Sequence, residues 1–111
     1  MVKYSIYLLI NPLTNDPFYV GCTLCTTTRF KSHTLNVCKR VLCKTKKDLY
    51  VAEKNIEPIF QIIETVEVNQ SEHEYVLGMP KPVAELEAKW IEFFINEGYE
   101  MTNKKWMNVA A

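Results

Sequence analysis

The stretch KYSIYLLINPLTNDPFYVG, from Lys3 to Gly21, contains two runs of β-forming residues separated by a polar segment. The first run is Lys3 to Ile10 and the second is Phe18 to Gly21, and both have the composition of strands. Between them, NPLTNDP is rich in the residue types that form turns. Two strands joined by a short polar loop predict an antiparallel hairpin, which we expect to be the first unit of the fold.

The hairpin is followed by a stretch that predicts a helix. One of the threonines Thr26 to Thr28 is expected to cap it, because a threonine hydroxyl can accept a hydrogen bond from a free backbone N–H. At about 100° per residue, the apolar side chains fall on one side, which we expect to face the core: Phe30, Val37 and Val41. Polar side chains follow one edge of that side: Arg29, His33, Asn36 and Arg40. This stripe is typical of a helix that borders a cleft, although a solvated edge has the same pattern.

A second helix and a third strand are predicted next. The helix covers about Thr45 to Asn55, and its inward-facing residues are expected to be Leu49 and either Val51 or Ala52. The run Ile59 to Val68 has strong β-propensity and predicts a strand. Together with the hairpin, it gives a small three-stranded antiparallel sheet flanked by helices, an α+β fold.

The last helix contains a carboxylate in an unexpected place. Residues 69–82 predict a loop, and the helix is expected from Pro82 or Val83 to Asn96, with Gly98 just past its end. Most of its large apolar side chains share one arc: Val83, Ala84, Leu86, Trp90, Ile91, Phe93 and Phe94. Glu87 lies within that arc. A buried carboxylate needs a cation, hydrogen bonds or a metal ion to compensate its lost hydration, unless it reaches solvent through a gap.

The composition restricts the class of protein. With 111 residues, of which 48 % are hydrophobic, one domain over residues 1–111 is expected. The N-terminal run has too few basic and apolar residues for a signal peptide, and no run reaches the ~18 apolar residues of a membrane helix. Four cysteines without a signal peptide indicate a reducing, intracellular location, so we expect a cytoplasmic protein with free thiols and no membrane partner.

The charges exclude a strongly basic nucleic-acid binder. Thirteen basic and thirteen acidic residues cancel, so any nucleic acid must be held by a local patch, and weak intrinsic affinity is expected. Basic residues cluster once, in CKRVLCKTKK: Lys39, Arg40, Lys44, Lys46 and Lys47. This cluster is the candidate DNA-binding patch, and a solvated surface is the alternative interpretation.

The cysteines allow a second kind of site. Their spacing, with two residues between the first pair and four between the second, is similar to that of a four-thiolate zinc site: Cys22, Cys25, Cys38 and Cys43. Neither pair lies in the Gly-rich turn of a zinc knuckle, and Cys25 and Cys38 flank the start and end of the predicted helix. Free thiols are therefore the default prediction, and zinc is the alternative.

Five short motifs together resemble the GIY-YIG nuclease family. They are SIY at Ser5 to Tyr7, YVG at Tyr19 to Gly21, RFKSH at Arg29 to His33, EAKWI at Glu87 to Ile91, and TN at Thr102 to Asn103. Each motif alone is weak, but their order and spacing agree with the family from about Tyr4 to Asn103. Ser5 replaces the family's first glycine and Val20 its isoleucine, and we expect neither the appended domain nor the insertion that usually selects the target in this family.

The resemblance implies an activity, a cofactor and a set of residues. The activity is cleavage of DNA phosphodiester bonds with one divalent metal ion, Mg²⁺ or Mn²⁺. The implied catalytic residues are Tyr7, Tyr19, Arg29, His33, Glu87 and Asn103, with Glu87 as the metal ligand. Little surface is left for reading bases, so nicking or structure-selective cutting of DNA is expected, and RNA stays open as a substrate. A homodimer or a recruiting protein would be a further partner.

The residues also suit this chemistry without the family name. A carboxylate can hold one hydrated Mg²⁺, and a guanidinium such as that of Arg29 binds phosphate oxygens. Tyr7 is the favoured proton acceptor and Tyr19 the favoured substrate-positioning residue, while His33 either accepts the proton or binds phosphate. The alternative function is a nucleic-acid- or protein-binding module that keeps the nuclease fold with weak or no activity.

Overall fold

In a computed structural model, the described residues are 2–40, 45–69, 75–76 and 79–103. They form five strands and four helices in this order: β1 Val2–Ile10, β2 Pro17–Thr23, α1 Thr26–Ser32, α2 Leu35–Arg40, α3 Lys46–Lys54, β3 Ile59–Val68, β4 Tyr75–Val76, β5 Met79–Pro80 and α4 Lys81–Asn96. Within these ranges, no helix is long and apolar enough to cross a membrane.

The main sheet confirms the predicted α+β class. Its strand order is β2-β1-β3, and both pairs of strands are antiparallel. The predicted hairpin is β1 and β2, and its turn contains Asn15 in a left-handed conformation with φ 62°. In this hairpin Tyr7 lies directly opposite Gly21. The third strand has the bounds that its β-propensity predicted, and β2 is left as an edge strand.

Helices cover both faces of the sheet, so the protein has two cores. The α4 core lies between α4 and one face, and its buried residues are Tyr4, Ile6, Leu8, Val20, Val68, Val83 and Ile91. The α3 core lies on the other face, and its buried residues are Tyr7, Leu9, Phe18, Cys38, Val51 and Ile56. Because side chains alternate along β1, neighbouring residues such as Ile6 and Tyr7 serve different cores.

The first predicted helix is wrong as a single element, because the chain breaks it at His33 and Thr34. The hydroxyls of Ser32 and Thr34 donate to the carbonyls of Arg29 and Lys31, and such local bonds compete with helical pairing. The cap prediction is also wrong: Cys25 occupies the N-cap position, and its side chain makes no cap hydrogen bond. The threonines Thr26 to Thr28 lie inside α1.

The break also overturns the predicted core side of that helix. A helical wheel assumes one continuous helix, so it does not predict which side chains share a face across the bend. Phe30 is 45 % exposed and meets Phe60 edge-on, whereas Cys38 is the buried side chain of α2. Val41 lies outside the described residues.

The two later helices follow the sequence more closely. Thr45 and Asp48 form a capping box at the start of α3, and Asn55 ends it in a left-handed conformation. Val51 is buried as predicted, but Leu49 is 43 % exposed, so that prediction is wrong.

The last helix ends at Asn96 as predicted, and Gly98 follows with φ 96°. Its first residue is Lys81, so the start lies slightly earlier than expected. The apolar arc is half right: Val83 and Ile91 are buried, but Phe93 is 49 % exposed. The predicted loop before α4 contains the paired strands β4 and β5.

Candidate active site

One pocket of about 850 Å³ collects candidate residues that are far apart in the sequence. Its wall includes four of the predicted catalytic residues, which come from four different elements: Tyr7 from β1, Tyr19 from β2, Arg29 from α1 and Glu87 from α4. We call these four the pocket cluster. The edge position of β2 is what makes this possible, because side chains from both faces of the sheet can meet around its outermost strand.

Gly21 provides the passage by which Tyr7 reaches the pocket. A Cβ atom at this position would overlap the Tyr7 hydroxyl and the ring carbon that carries it. The phenol therefore crosses the β2 backbone at the one residue that lacks a side chain. A shift in the β1–β3 pairing between Ile6 and Tyr7 lies directly before this residue, and such bulges commonly redirect a side chain.

Tyr7 and His33 form a buried pair. The Tyr7 hydroxyl oxygen lies 2.8 Å from Nε2 of His33, and both side chains are less than a tenth exposed. The break between α1 and α2 is what turns His33 inward, so the feature that spoiled the helix prediction creates this contact. Nδ1 of His33 is buried and has no hydrogen-bond partner among the described residues. His33 itself does not line the pocket.

Burial keeps this pair neutral. Burial, together with the positive charges of Lys47 and Arg29, lowers the pKa of His33 to about 3. Burial and the neighbouring Tyr19 raise the pKa of Tyr7 far above its usual value, although Arg29 acts in the opposite direction. Near neutral pH the imidazole is therefore uncharged and the phenol keeps its proton.

Tyr19 is the second phenol of the pocket. Its ring lies 6.2 Å from that of Tyr7 and 5.6 Å from that of His33, measured between centroids. Burial and the charge of Glu87 raise the pKa of Tyr19 to about 12, and the charge of Arg29 opposes the rise. Tyr19 is only half-buried, so its hydroxyl is better placed than that of Tyr7 to meet a bound molecule.

Glu87 is buried as the sequence predicted, with 6 % of its surface exposed. In the described part of the chain it has no ion pair, and Cys22 lines the same pocket. Burial raises the pKa of this carboxyl group, while Cys22 and the charge of Arg29 oppose the rise. A pocket-lining carboxylate without a cation suits a divalent metal ion, so the structure offers a fitting ligand for Mg²⁺ or Mn²⁺.

Arg29 is the exposed cation of the pocket. It lies on α1, and its positive charge opposes the rise in the pKa values of Tyr7, Tyr19 and Glu87. Among the described residues, its guanidinium has no carboxylate partner. It is thus available to an anionic ligand that enters the pocket.

Asn103 is not brought into the pocket with the others. Its side-chain Oδ1 accepts a hydrogen bond from the backbone N–H of Val20 at 3.1 Å, and its Nδ2 donates to the Val20 carbonyl at 2.7 Å. Thr102 donates both its backbone N–H and its hydroxyl to the carbonyl of Phe18. These contacts occupy the free edge of β2 and hold the strand that carries Tyr19. The structure gives Asn103 a positioning role.

The predicted basic patch is divided. Lys39, Arg40 and Lys46 are exposed, but Lys47 is 7 % exposed and forms a buried ion pair with Asp48. Its ammonium also lies 3.7 Å from the sulfur of Cys38. In this position Lys47 is buried and paired with Asp48, so the structure does not present it as a DNA contact. Lys44 lies outside the described residues.

The cysteines are separated in the structure. Cys22 and Cys25 line the pocket, whereas Cys38 is buried in the α3 core and donates to Asp48 and to the His33 carbonyl. Cys43 lies outside the described residues. Within the described ranges, no group of three or more histidine, cysteine or acidic side chains is arranged to hold a metal ion. The thiols of Cys22, Cys25 and Cys38 are free.

The sequence did not identify Cys22 as a member of the pocket. Cys22 follows Val20 by two residues on β2, so both side chains point towards α4. The alternation of side chains along β2 could have indicated which face Cys22 lies on. It could not indicate that α4 brings Glu87 to that face. The motif glycine, Gly21, was identified by resemblance, whereas its role as a passage for Tyr7 follows from the packing.

No protein-family model, curated protein or solved structure matches this chain. The resemblance to GIY-YIG nucleases therefore rests on the five motifs and stays a prediction.

Proposed function

We propose that this protein is a metal-dependent DNA endonuclease of the GIY-YIG type. The observation that supports the proposal is the convergence of Tyr7, Tyr19, Arg29 and Glu87 on one pocket. These residues lie on four elements and were selected from motifs alone. A phenol, a guanidinium and a buried carboxylate around one opening meet the needs of phosphodiester hydrolysis.

Glu87 would hold the divalent cation, Mg²⁺ or Mn²⁺. When bound, the ion would supply positive charge to the phosphoryl oxygens and lower the pKa of nearby water. The residue fits this role because its carboxyl group is buried, faces the pocket and has no ion pair in the described chain.

Arg29 would bind the phosphate that is cut. Its exposed guanidinium on the pocket wall offers parallel N–H donors that match two phosphate oxygens. The same charge favours the negative charge that develops on those oxygens in the transition state. Tyr19, half-buried at the same wall, would orient the substrate by donating its hydroxyl proton in a hydrogen bond.

Tyr7 and His33 would move the proton of the attacking water. Since His33 is neutral, its Nε2 can accept, and it lies 2.8 Å from the Tyr7 oxygen. The water gives a proton to the Tyr7 oxygen while the Tyr7 proton passes to Nε2, and the oxygen of the water bonds to phosphorus. The bond to the leaving ester oxygen then breaks, that oxygen takes up a proton from solvent, and the proton on Nε2 returns through Tyr7 to solvent. Because His33 does not line the pocket, we assign it proton transfer instead of phosphate binding.

The substrate proposal follows from the charges around the pocket. Among the described residues, Arg29 is the exposed cation that lines it, so DNA would be held weakly and by its backbone. Nicking or structure-selective cutting suits such a surface. A partner protein or a second copy of the chain would add the missing affinity.

The first experiment is conversion of supercoiled plasmid to nicked and linear DNA. Wild type and Glu87→Gln are compared with Mg²⁺, with Mn²⁺ and with a chelator. Glu92→Gln is the matched control, because Glu92 is an exposed carboxylate on the same helix. We expect metal-dependent nicking by wild type and Glu92→Gln, and a loss of ~100-fold or more in Glu87→Gln.

Branched and single-stranded DNA are tested in the same way. If folded wild-type protein cuts none of these substrates with either metal, the nuclease proposal is wrong. The alternative function, a binding module that keeps the nuclease fold, would then be the one to pursue.

A further inference from the structure

Cys38 of α2 lies against two charged side chains of α3, Lys47 and Asp48. Its sulfur lies 3.7 Å from Nζ of Lys47 and 3.4 Å from Oδ1 of Asp48. Cys38 is fully buried, and the two charged residues are each less than a tenth exposed. A free thiol and a lysine amino group are therefore held in contact and shielded from solvent.

One carboxylate oxygen contacts both of these groups. Oδ1 of Asp48 accepts a hydrogen bond from the Lys47 ammonium in the buried ion pair, and it also accepts one from the Cys38 thiol. The nitrogen and the sulfur each have to give up a hydrogen before they can be joined. A carboxylate in contact with both is placed to receive these protons, so the cluster holds two groups that can be joined together with a proton acceptor.

We propose that Cys38 and Lys47 form an oxidative modification site, at which hydrogen peroxide joins the sulfur to the lysine nitrogen through one oxygen atom. A first peroxide transfers one oxygen to the thiol, which becomes a sulfenic acid, and its other oxygen leaves as water. A second peroxide then oxidises the lysine nitrogen. An N–O bond forms to the sulfenic oxygen, one N–H and the O–H bond are broken, and the second peroxide is reduced to two waters. The additional proton of the ammonium leaves through Asp48 to solvent.

The short helix α2 gives peroxide a way to reach the sulfur. This helix has six residues, and Cys38 is its buried side chain. A helix of this length with one buried side chain opens locally at a low cost in free energy. We therefore expect the cross-link to form slowly in the folded protein.

The cross-link acts on the buried pair of Tyr7 and His33. The thiol of Cys38 donates to the backbone carbonyl of His33 at 3.7 Å, and Nε2 of the same histidine lies 2.8 Å from the Tyr7 oxygen. Once the sulfur is bridged, it can no longer donate to this carbonyl or to Asp48. Oxidation of Cys38 thus changes the support of a residue that contacts the pocket cluster.

The test is peptide mapping of full-length protein treated with hydrogen peroxide. Trypsin cuts after lysine and arginine, so Cys38 is released in the peptide Ser32 to Lys39, and Lys47 begins the peptide Lys47 to Lys54 when its side chain is blocked. We expect wild type to give these two peptides joined, with a mass equal to their sum plus one oxygen and minus two hydrogens. Dithiothreitol should separate them, because it reduces the bridge to a thiol, an amine and water, whereas sulfinic and sulfonic acids are not reversed.

Lys46 provides the matched control, since it is exposed on the same helix. Lys46→Arg should keep the joined peptides. Lys47→Arg retains the positive charge beside Asp48 but should lose them, and Cys38→Ser should lose them as well.

Three results would overturn the inference. They are the absence of the joined peptides from folded wild type, an equal yield from wild type oxidised in a denaturing concentration of urea, and a cross-link from Cys38 to Lys46 or Cys43 in place of Lys47. The urea comparison uses wild type alone, so it decides the question even if a variant does not fold.

The inference does not rest on the proposed function, because these readouts are separate from DNA cleavage. Joined peptides from a protein that cuts no DNA would support the inference and contradict the nuclease. DNA cutting by a protein that forms no cross-link would support the nuclease and contradict the inference.

Discussion

Two groups of polar side chains lie near His33 and differ in how their buried carboxyl groups are paired. The lysine cluster, Cys38, Lys47 and Asp48, is closed: Lys47 and Asp48 form an ion pair, and Cys38 donates to Asp48. In the pocket cluster, Glu87 is equally buried but has no ion pair among the described residues. Similar burial thus accompanies complete pairing in one place and incomplete pairing in the other.

The difference shows in the ionisation of the two carboxyl groups. Burial acts to raise the pKa of Asp48, but the hydrogen bond and charge of Lys47 outweigh it, so the pKa is lowered. At Glu87 burial dominates and the pKa is raised. A buried charge whose partner is in the chain serves the fold, and one whose partner is absent from the chain is a candidate for binding.

The largest expected effect is a loss of stability when the lysine cluster is changed. Lys47→Met leaves the Asp48 carboxylate buried without its cation, so the free energy of unfolding should fall by about 3–5 kcal/mol. Glu87→Gln removes a charge that has no ion pair, so its effect should stay within about 1 kcal/mol. Urea denaturation of both variants measures the difference.

Lys46→Met is the matched control for the lysine, since Lys46 is exposed on the same helix. It should change stability by no more than about 0.5 kcal/mol. Equal losses of stability in Lys46→Met and Lys47→Met would show that the ion pair between Lys47 and Asp48 does not stabilise the fold.

The next effect concerns the gap on which the pocket cluster depends. Gly21→Ala places a Cβ atom against the Tyr7 ring, so stability should fall by about 1–3 kcal/mol and the hydrogen bond between Tyr7 and His33 should break. The Tyr7→Ala background is the control, because the ring that would clash is gone. In that background, Gly21→Ala should hardly change the free energy of unfolding measured by urea denaturation. An equal loss of stability in both backgrounds would show that Tyr7 does not pass over Gly21.

The stability of the fold should depend on pH, and the two carboxyl groups should act on it in opposite directions. His33 has a pKa of about 3 in the folded state against an ordinary 6.5, so the unfolded chain takes up the proton first. Stability should be full above about pH 6.5 and fall by about 1.4 kcal/mol per pH unit as the pH drops towards 3. Asp48, whose pKa is lowered, adds to the loss in acid. Glu87, whose pKa is raised, acts in the opposite direction, because its folded form takes up the proton first.

Urea denaturation at several pH values checks this prediction. His33→Gln should flatten the slope below about pH 6.5, and Glu87→Gln should steepen it. A slope that His33→Gln leaves unchanged would mean that this imidazole is not held neutral.

The smallest effect is on DNA binding by the exposed side chains. The variant replaces Lys39, Arg40 and Lys46 by Ala in the Glu87→Gln background. It should lower the slope of log K against log salt concentration by up to about 0.9 for each phosphate that the protein no longer neutralises. Lys89→Ala, on the outer face of α4, is the control and should leave the slope unchanged. An unchanged slope in the triple variant would exclude these residues as the DNA-binding patch.

Local patterns in the sequence determined most of the secondary structure. The hairpin, β3, the helix α3 and the end of α4 each depend on neighbouring residues, so propensity and turn chemistry were enough to find them. The polar position of Glu87 within an apolar arc was also visible, because helical periodicity is local.

Tertiary structure decided the functional geometry. The contact of His33 with Tyr7, the passage at Gly21 and the meeting of the pocket cluster around one opening all depend on residues distant in sequence. Their physical reason is shared: a buried polar group takes its role from the partner that packing brings to it. The sequence determined which groups the chain carries, and only the packing of helices on both faces of the sheet decided which were paired and which faced the pocket.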